Sequence, residues 1–196
     1  MALGAQFDDA LAAARGGVGW GLAALYRDLQ PALLRYLSGQ EPAEADDLAS
    51  ETWIDVAAGL TRFRGGEADL RRWVFTIARR RLCDLRRRRG RRGAAPLPPE
   101  TLERPTGPGY PGDPEATVVE SISASAAVAR IKRLLPAAQA EVVLLRVVGG
   151  LSVEDVAAIV GKRPGTIRVI QHRALRRLAA ALSDDTVTAA SARAMY

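Results

Sequence analysis

The side chains able to do chemistry fall into two groups of opposite sign. Asp47, Glu51 and Asp55 repeat every four residues, which stacks three carboxylates on one face of a helix, where they repel one another. Between Tyr36 and Thr61 no Lys or Arg offsets them. An uncompensated acidic face of this kind predicts a docking surface for a basic partner; a solvated acidic helix is the plain alternative. Directly after it the sign reverses, with Arg62, Phe63 and Arg64, then Arg79, Arg80 and Arg81, then "RRRRGRR" from Arg86 to Arg92. Arginines among aromatic residues suit contact with a nucleic-acid backbone and stacking on bases, above all in single strands. Phe63, in a polar loop, is the better candidate for a base contact. Trp73, among apolar neighbours, is expected in the core, and the Arg86–Arg92 run by itself reads only charge.

Catalytic and metal chemistry find little support. His172 and Cys83 are the only residues of their types, which leaves no disulfide, Cys-rich zinc site or histidine-based metal cluster within the chain. The carboxylates lie along one outward helix face with no second cluster, where a nuclease or recombinase would need them convergent on a metal. The stretch "RGGVGWG" has neither the spacing nor the Lys-Ser/Thr of a phosphate loop, and no strand precedes it; it reads as a flexible lead-in. Cys83 could sense oxidation, but its place beside Leu82 on an apolar stripe points to an inert thiol. The chain is therefore expected to bind without catalysis and without a cofactor. Asp8 and Asp9 stand where a signal peptide would be basic, and no apolar run has the length of a membrane span, so the expected compartment is the cytoplasm, with no membrane insertion.

A second binding feature lies in "GLSVEDVAAIVGKRPGTIRVIQHRALRRL", Gly150 to Leu178. Ser152 followed by Asp155 resembles a capping box that starts a helix at Val153. Ala157, at the fifth helical position, allows a close helix crossing, and Gly161, at the ninth, permits a left-handed turn. Val156, Val160, Ile167 and Ile170 then fall on the buried side of a helix-turn-helix, continued by Ala174 and Leu178. Lys162 stands at a position that is usually apolar. The second helix leaves Arg168, Val169, His172, Arg173 and Arg176 outward, with Arg163 and Thr166 at its start, an array able to meet phosphates, guanine edges and a thymine methyl. A helical hairpin with a solvated basic face is the alternative.

These features require helices to position them. The chain has 196 residues and a net charge of +6, its cations almost all arginine, with Lys132 and Lys162 the only lysines; a polyanionic partner follows. Seven prolines lie between Pro96 and Pro114, a density incompatible with regular packing. This predicts a Pro/Gly-rich flexible linker over 93–120, between a helical domain at 1–92 and a second at 121–182 that carries the helix-turn-helix. Residues 183–196 lack an apolar stripe and read as a disordered tail. Apolar residues recur at three and four with no period-two run, so the fold class is all-α. Leu25, Leu29, Leu33 and Leu37 share one face, with Pro31 marking a bend or a start. Further helices are expected over about 43–60, 68–88, 124–135 and 136–148, the last stopped by Gly149 and Gly150.

The order of these parts resembles the bacterial RNA polymerase sigma factors of the extracytoplasmic-function group. The resemblance rests on "ALYRDLQPALLRYL", "AEADDLASETWIDVAAGLTRFRG", "RRWVFTIARRRLCDLRRR", the proline-rich linker and the helix-turn-helix, and covers nearly all of residues 22 to 182. It implies a transcription initiation factor that binds core polymerase, directs it to promoters and helps to open the minus-ten element. By this resemblance Asp46, Asp47, Glu51, Trp53 and Asp55 meet the beta-prime clamp helices. Phe63, Arg64, Arg79, Arg80, Arg81, Arg86 and Arg87 engage the minus-ten element. Arg163, Thr166, Arg168, Val169, His172, Arg173 and Arg176 engage the minus-thirty-five element. The polymerase beta flap and an anti-sigma factor are the other partners it implies. Ser50 stands where Gln is common, and Arg80 where Asn is common. A conventional helix-turn-helix repressor or activator would account for the C-terminal part but leaves the acidic face beside an arginine helix unexplained.

Overall fold

The computed structural model of the chain describes residues 3–92 and 126–193, with side chains described as far as residue 181. The expected linker lies outside these residues. Every regular element among them is a helix: α1 (Phe7–Arg15), α2 (Gly19–Ser38), α3 (Ala45–Gly59), α4 (Glu67–Arg92), α5 over 126–134, α6 (Ala137–Val143), α7 (Val153–Val160) and α8 (Pro164–Arg193). A π-helical turn, Leu144–Val148, follows α6 directly. Backbone over 183–193 continues α8, although the sequence there carries no apolar stripe.

The four-residue leucine repeat of α2 is the axis of the first domain, with Leu25, Leu29, Leu33 and Leu37 all buried. The helix continues through Pro31 without ending; Pro31 lies on the exposed side, and burial of the opposite face compensates for the missing backbone donor. Against α2 pack Leu48, Ala49 and Val56 of α3 and Leu70, Val74, Phe75, Ala78 and Leu82 of α4. Tyr36 and Phe75 meet edge to face with ring centroids 5.6 Å apart.

The glycine-rich stretch is a built turn, not the flexible lead-in expected. Phe7, Ala10 and Leu11 are buried in α1, Gly17 makes the turn at φ +75°, and α2 starts at Gly19. A Cβ on Gly21 would lie 2.4 Å from both the Ala10 carbonyl and the Ala14 nitrogen, so hydrogen is the only side chain the crossing admits.

In the second domain Leu135, Ala140, Val143 and Ala174 form a small core with Leu178 against it. Other buried apolar residues of this domain, among them Val128, Leu144, Leu145, Leu151, Val156 and Ile159, join the core of the first domain. Ser152 caps α7 reciprocally with Asp155: the Asp155 backbone donates to Ser152 Oγ at 3.0 Å and the Ser152 backbone to Asp155 Oδ2 at 3.1 Å. Gly161 ends α7 in the left-handed conformation, φ +71° and ψ +39°. The Lys162 amide donates to the Ala157 carbonyl at 2.9 Å while its side chain stays exposed; the turn closes without an apolar residue at that position.

Two substitutions test these local devices. Gly21→Val should destabilise the chain by about 1–3 kcal/mol through overpacking at the α1–α2 crossing, and Ser152→Ala by about 1 kcal/mol through loss of the cap. Urea denaturation followed by circular dichroism measures both. A Gly21→Val midpoint equal to that of the parent would contradict the close crossing.

Candidate nucleic-acid interface and acidic face

Helix α3 divides its acids between two environments. Asp46, Asp47 and Ser50 are exposed, whereas Glu51 and Asp55 lean toward α4 and are half-buried. There Arg81 grips Asp55 in a two-pronged contact, Nε to Oδ2 at 2.7 Å and Nη2 to Oδ1 at 2.6 Å, and donates through Nη1 to Glu51 Oε2 at 3.2 Å. The hydrogen bond to Asp55 holds the Arg81 guanidinium above its ordinary pKa, against a smaller desolvation penalty. The four-residue repeat of acids is thus relieved by a cation from the next helix, and Arg81 ties the acidic face to the arginine helix.

Two further residues on α3 take exposures that the spacing of charges does not set. Trp53 is buried, its indole donating to Gln30 Oε1 at 2.7 Å and its ring 5.0 Å from Tyr26; it faces α2, away from Asp47. Ile54 was not singled out, yet at 68% it is the most exposed of the large apolar residues described. It lies seven residues, two helical turns, from Asp47 and on the same face. An isoleucine two turns along from an exposed acid was a readable signal.

The loop after α3 is held at several points. Phe63 stacks on Trp73 with ring centroids 5.2 Å apart and planes 22° from parallel. Its carbonyl accepts from Arg15 and, at 2.8 Å, from Arg64. Gly65 takes φ +143°, and the following amide, of Gly66, donates to Asp69 Oδ2 at 3.1 Å. Phe63 is half-buried, one ring face against Trp73.

Along α4 the arginines meet carboxylates from several elements. Arg71 pairs with Asp28 at 3.0 Å, Arg86 with Glu41 at 2.9 Å, Arg87 with Asp84 at 3.7 Å, and Arg89 with Glu41 at 3.0 Å and Glu44 at 2.6 Å. Arg86 also donates to the buried Gln40 side chain at 2.9 Å. Arg79 turns to the second domain, donating through Nε to Glu141 Oε1 at 2.9 Å and through Nη1 to the Ile159 carbonyl at 3.2 Å. Desolvation pulls the Arg79 pKa down, but the hydrogen bond and charge of Glu141, with smaller contributions from Cys83 and Tyr36, leave it raised. Burial, aided by the nearby Glu141, pushes the Tyr36 phenol up. Arg80 is exposed and sits between two clefts, one of about 460 Å³ shared with Thr76, Cys83 and Arg87, the other of about 430 Å³ shared with Asp55 and Arg81.

On α8 the outward array is brought together as one surface. Thr166, Arg168, Val169, His172, Arg173 and Arg176 are all exposed, with Arg163 in the turn before them, while Ile167 and Ala174 are buried on the opposite side. Arg168 is held by Glu154 of α7 at 2.8 Å. Val169 is 49% exposed, an apolar group presented on an otherwise cationic face. No described helix is long and apolar enough to cross a membrane.

Known proteins share this arrangement. Residues 25–92 match the family model of sigma-70 region 2 and residues 125–178 that of sigma-70 region 4. The chain is 33% identical over 181 residues to the ECF RNA polymerase sigma factor SigD of Mycobacterium tuberculosis, covering 89% of this chain and 83% of that protein. It is 34% identical over 164 residues to the ECF RNA polymerase sigma factor ShbA of Streptomyces griseus, covering 80% and 84%. Among solved structures, the sigma factor RpoE of Bartonella quintana, in complex with the anti-sigma factor NepR, aligns with a TM-score of 0.58 at 26% identity over 81% of this chain and 94% of that one. Two sigma-70 regions in the expected order, on a helical fold shared with a solved sigma factor, place this chain in the ECF RNA polymerase sigma factor family.

Proposed function

We propose that this chain initiates transcription through three surfaces: the outer face of α3 docks on core RNA polymerase, the Phe63 loop with α4 engages and opens the minus-ten element, and α8 reads the minus-thirty-five element. The observation that carries the reading is the division of acids on α3. Glu51 and Asp55 share one cation, Arg81, on the side toward α4, while Asp46, Asp47, Ser50 and Ile54 are exposed and form an acidic and apolar outer face. Such a face, with acids at one end and an exposed apolar side chain two turns along, offers both charge and apolar area to a protein partner. A basic pair of helices, as in the polymerase beta-prime clamp, is its natural partner, and Trp53 supports it from beneath.

The chemistry is binding without covalent steps, so no enzymatic role is assigned. Taking a base out of duplex costs a few kcal/mol; stacking it on the Phe63–Trp73 pair, at about 1–3 kcal/mol per base, together with Arg64 and Arg80, offsets a cost of that size. Arg86 and Arg87 extend the path for phosphate. On α8, Arg163 and Thr166 suit backbone contact, Arg168 and Arg173 base or phosphate contact, and Val169 a thymine methyl; His172 and Arg176 flank them. The polymerase beta flap would meet the second domain. The site of action is the cytoplasm, where the polymerase works. An anti-sigma factor is a further partner, as in the solved RpoE complex.

Asp47→Arg should abolish co-purification with core polymerase while leaving duplex binding intact, and Ile54→Asp should weaken it at least tenfold with folding unchanged. Retention of polymerase by both variants would argue against the α3 assignment. Arg168→Ala and Arg173→Ala should weaken binding to a minus-thirty-five duplex; footprints identical to the parent would remove α8 as the reader. Transcription by purified core polymerase, with and without the protein, tests the whole: the absence of a promoter-specific transcript would favour a polymerase-independent helix-turn-helix regulator.

A further inference from the structure

We propose that helix α1, which precedes the residues 25–92 matched by sigma-70 region 2, is a splint for the Phe63 loop, and that Arg15 is a positioning residue for base capture during promoter opening. The role in opening rests on the reading of the Phe63 loop given above; the splint itself does not.

Helix α1 and the residues before it meet the loop at two points. Arg15, the last residue of α1, donates through Nη2 to the Phe63 carbonyl. Ahead of α1, the amides of Leu3 and Gly4 donate to the two carboxylate oxygens of Glu67, at 2.9 and 3.1 Å. Glu67 is the first residue of α4, so the two anchors stand on either side of Arg64, Gly65 and Gly66. Adjacent glycines leave such a segment many conformations to lose, whereas a nine-residue helix is a rigid piece about 13 Å long. The splint is itself fixed. Phe7, Ala10 and Leu11 are buried, Gly21 lets α1 lie directly on α2, and Ala14 packs against the same core as Phe63 and Trp73.

Stability alone does not account for Arg15. Its side chain is half-buried, its Nε is buried without an acceptor, and among the described residues it meets no carboxylate, only the Phe63 carbonyl. A buried guanidinium nitrogen without a partner is destabilising. Arg64 donates to the same carbonyl at 2.8 Å and to the Thr61 carbonyl at 2.9 Å, so two cations converge on one oxygen. Local rules broken in this way mark functional sites. What the arrangement supplies is position. The Phe63 ring is set by its stack on Trp73, and Trp73 in turn lies so close to α3 that a Cβ on Gly59 would be 2.7 Å from it; the Phe63 backbone is held by Arg15 and Arg64. A loop ordered only when the base arrives would lose part of the stacking free energy to its own ordering.

Hydrogen exchange and promoter opening, both on the full chain, test this. Arg15→Met keeps an unbranched stem and removes the donor; Arg15→Lys keeps a donor and the charge. In Arg15→Met, amides over 61–66 should exchange at least about fivefold faster, and opening of a promoter used by the parent, read with core polymerase from 2-aminopurine in the minus-ten element, should slow about tenfold. Affinity for core polymerase and for a minus-thirty-five duplex, both read at distant surfaces, should stay within about twofold, which a general loss of folding would not allow. Arg15→Lys should recover most of both losses, and Glu67→Ala, which cuts the other anchor, should quicken exchange of the same amides. Unchanged exchange in both Arg15→Met and Glu67→Ala would overturn the splint. Faster exchange with unchanged opening, or an Arg15→Lys chain that opens the promoter no faster than Arg15→Met, would overturn the positioning role. A Phe63→Ala chain that opens the promoter at the parent's rate would instead count against the reading of the loop.

Discussion

A helix that carries arginines on nearly every side can pack against a protein only where carboxylates or carbonyls meet its guanidinium groups, since an unpaired charge at a buried surface is costly. Helix α4 satisfies that constraint through its neighbours. Asp28 of α2, Glu41 and Glu44 before α3, Glu51 and Asp55 of α3, and Glu141 of α6 each take a guanidinium from it. Most of these pairs are partly exposed, so each contributes little alone. Their combined effect is to set which face of α4 packs inward and which groups are left to solvent.

This pairing makes the surfaces of the molecule interdependent. Arg81 spans the helix assigned to polymerase and the helix assigned to promoter, so a change in the charge of either is felt at the other. Arg79 joins the first domain to the second in the same manner. The acidic composition of α3 has in consequence a double role: its inward acids anchor α4, and its outward acids, with Ile54, form the surface open to a partner. On α8, Arg168 likewise meets a carboxylate of a neighbouring helix, Glu154 of α7, although both side chains are largely exposed.

Much of the architecture was legible. The leucine repeat of α2, the acidic helix, the arginine helix and the capped helix-turn-helix all arise from short-range patterns, and the acidic and arginine helices lie within a few residues of their expected bounds. Helix α1 carries little local signal because its apolar residues, Phe7, Ala10 and Leu11, are few and the glycines after it mimic a loop; the need for Gly21 exists only once two helices cross. Pro31 reads locally as a bend or a start, and burial of the opposite face of α2 overrides it. The burial of Trp53 and the exposure of Ile54 depend on which side of α3 meets α2, a choice that charge spacing alone does not make.

The sequence by itself determined the helical class, the reversal of charge between α3 and α4, and the turn geometry at Ser152 and Gly161, because each depends on side chains a few residues apart. The tertiary structure alone decided which of the arginines are engaged and by what. Arg81 meets Asp55 across 26 residues, Arg79 meets Glu141 across 62, and Arg72 meets Asp155 across 83. Coulombic pairing is set by distance in space, and no spacing along the chain encodes separations of that length.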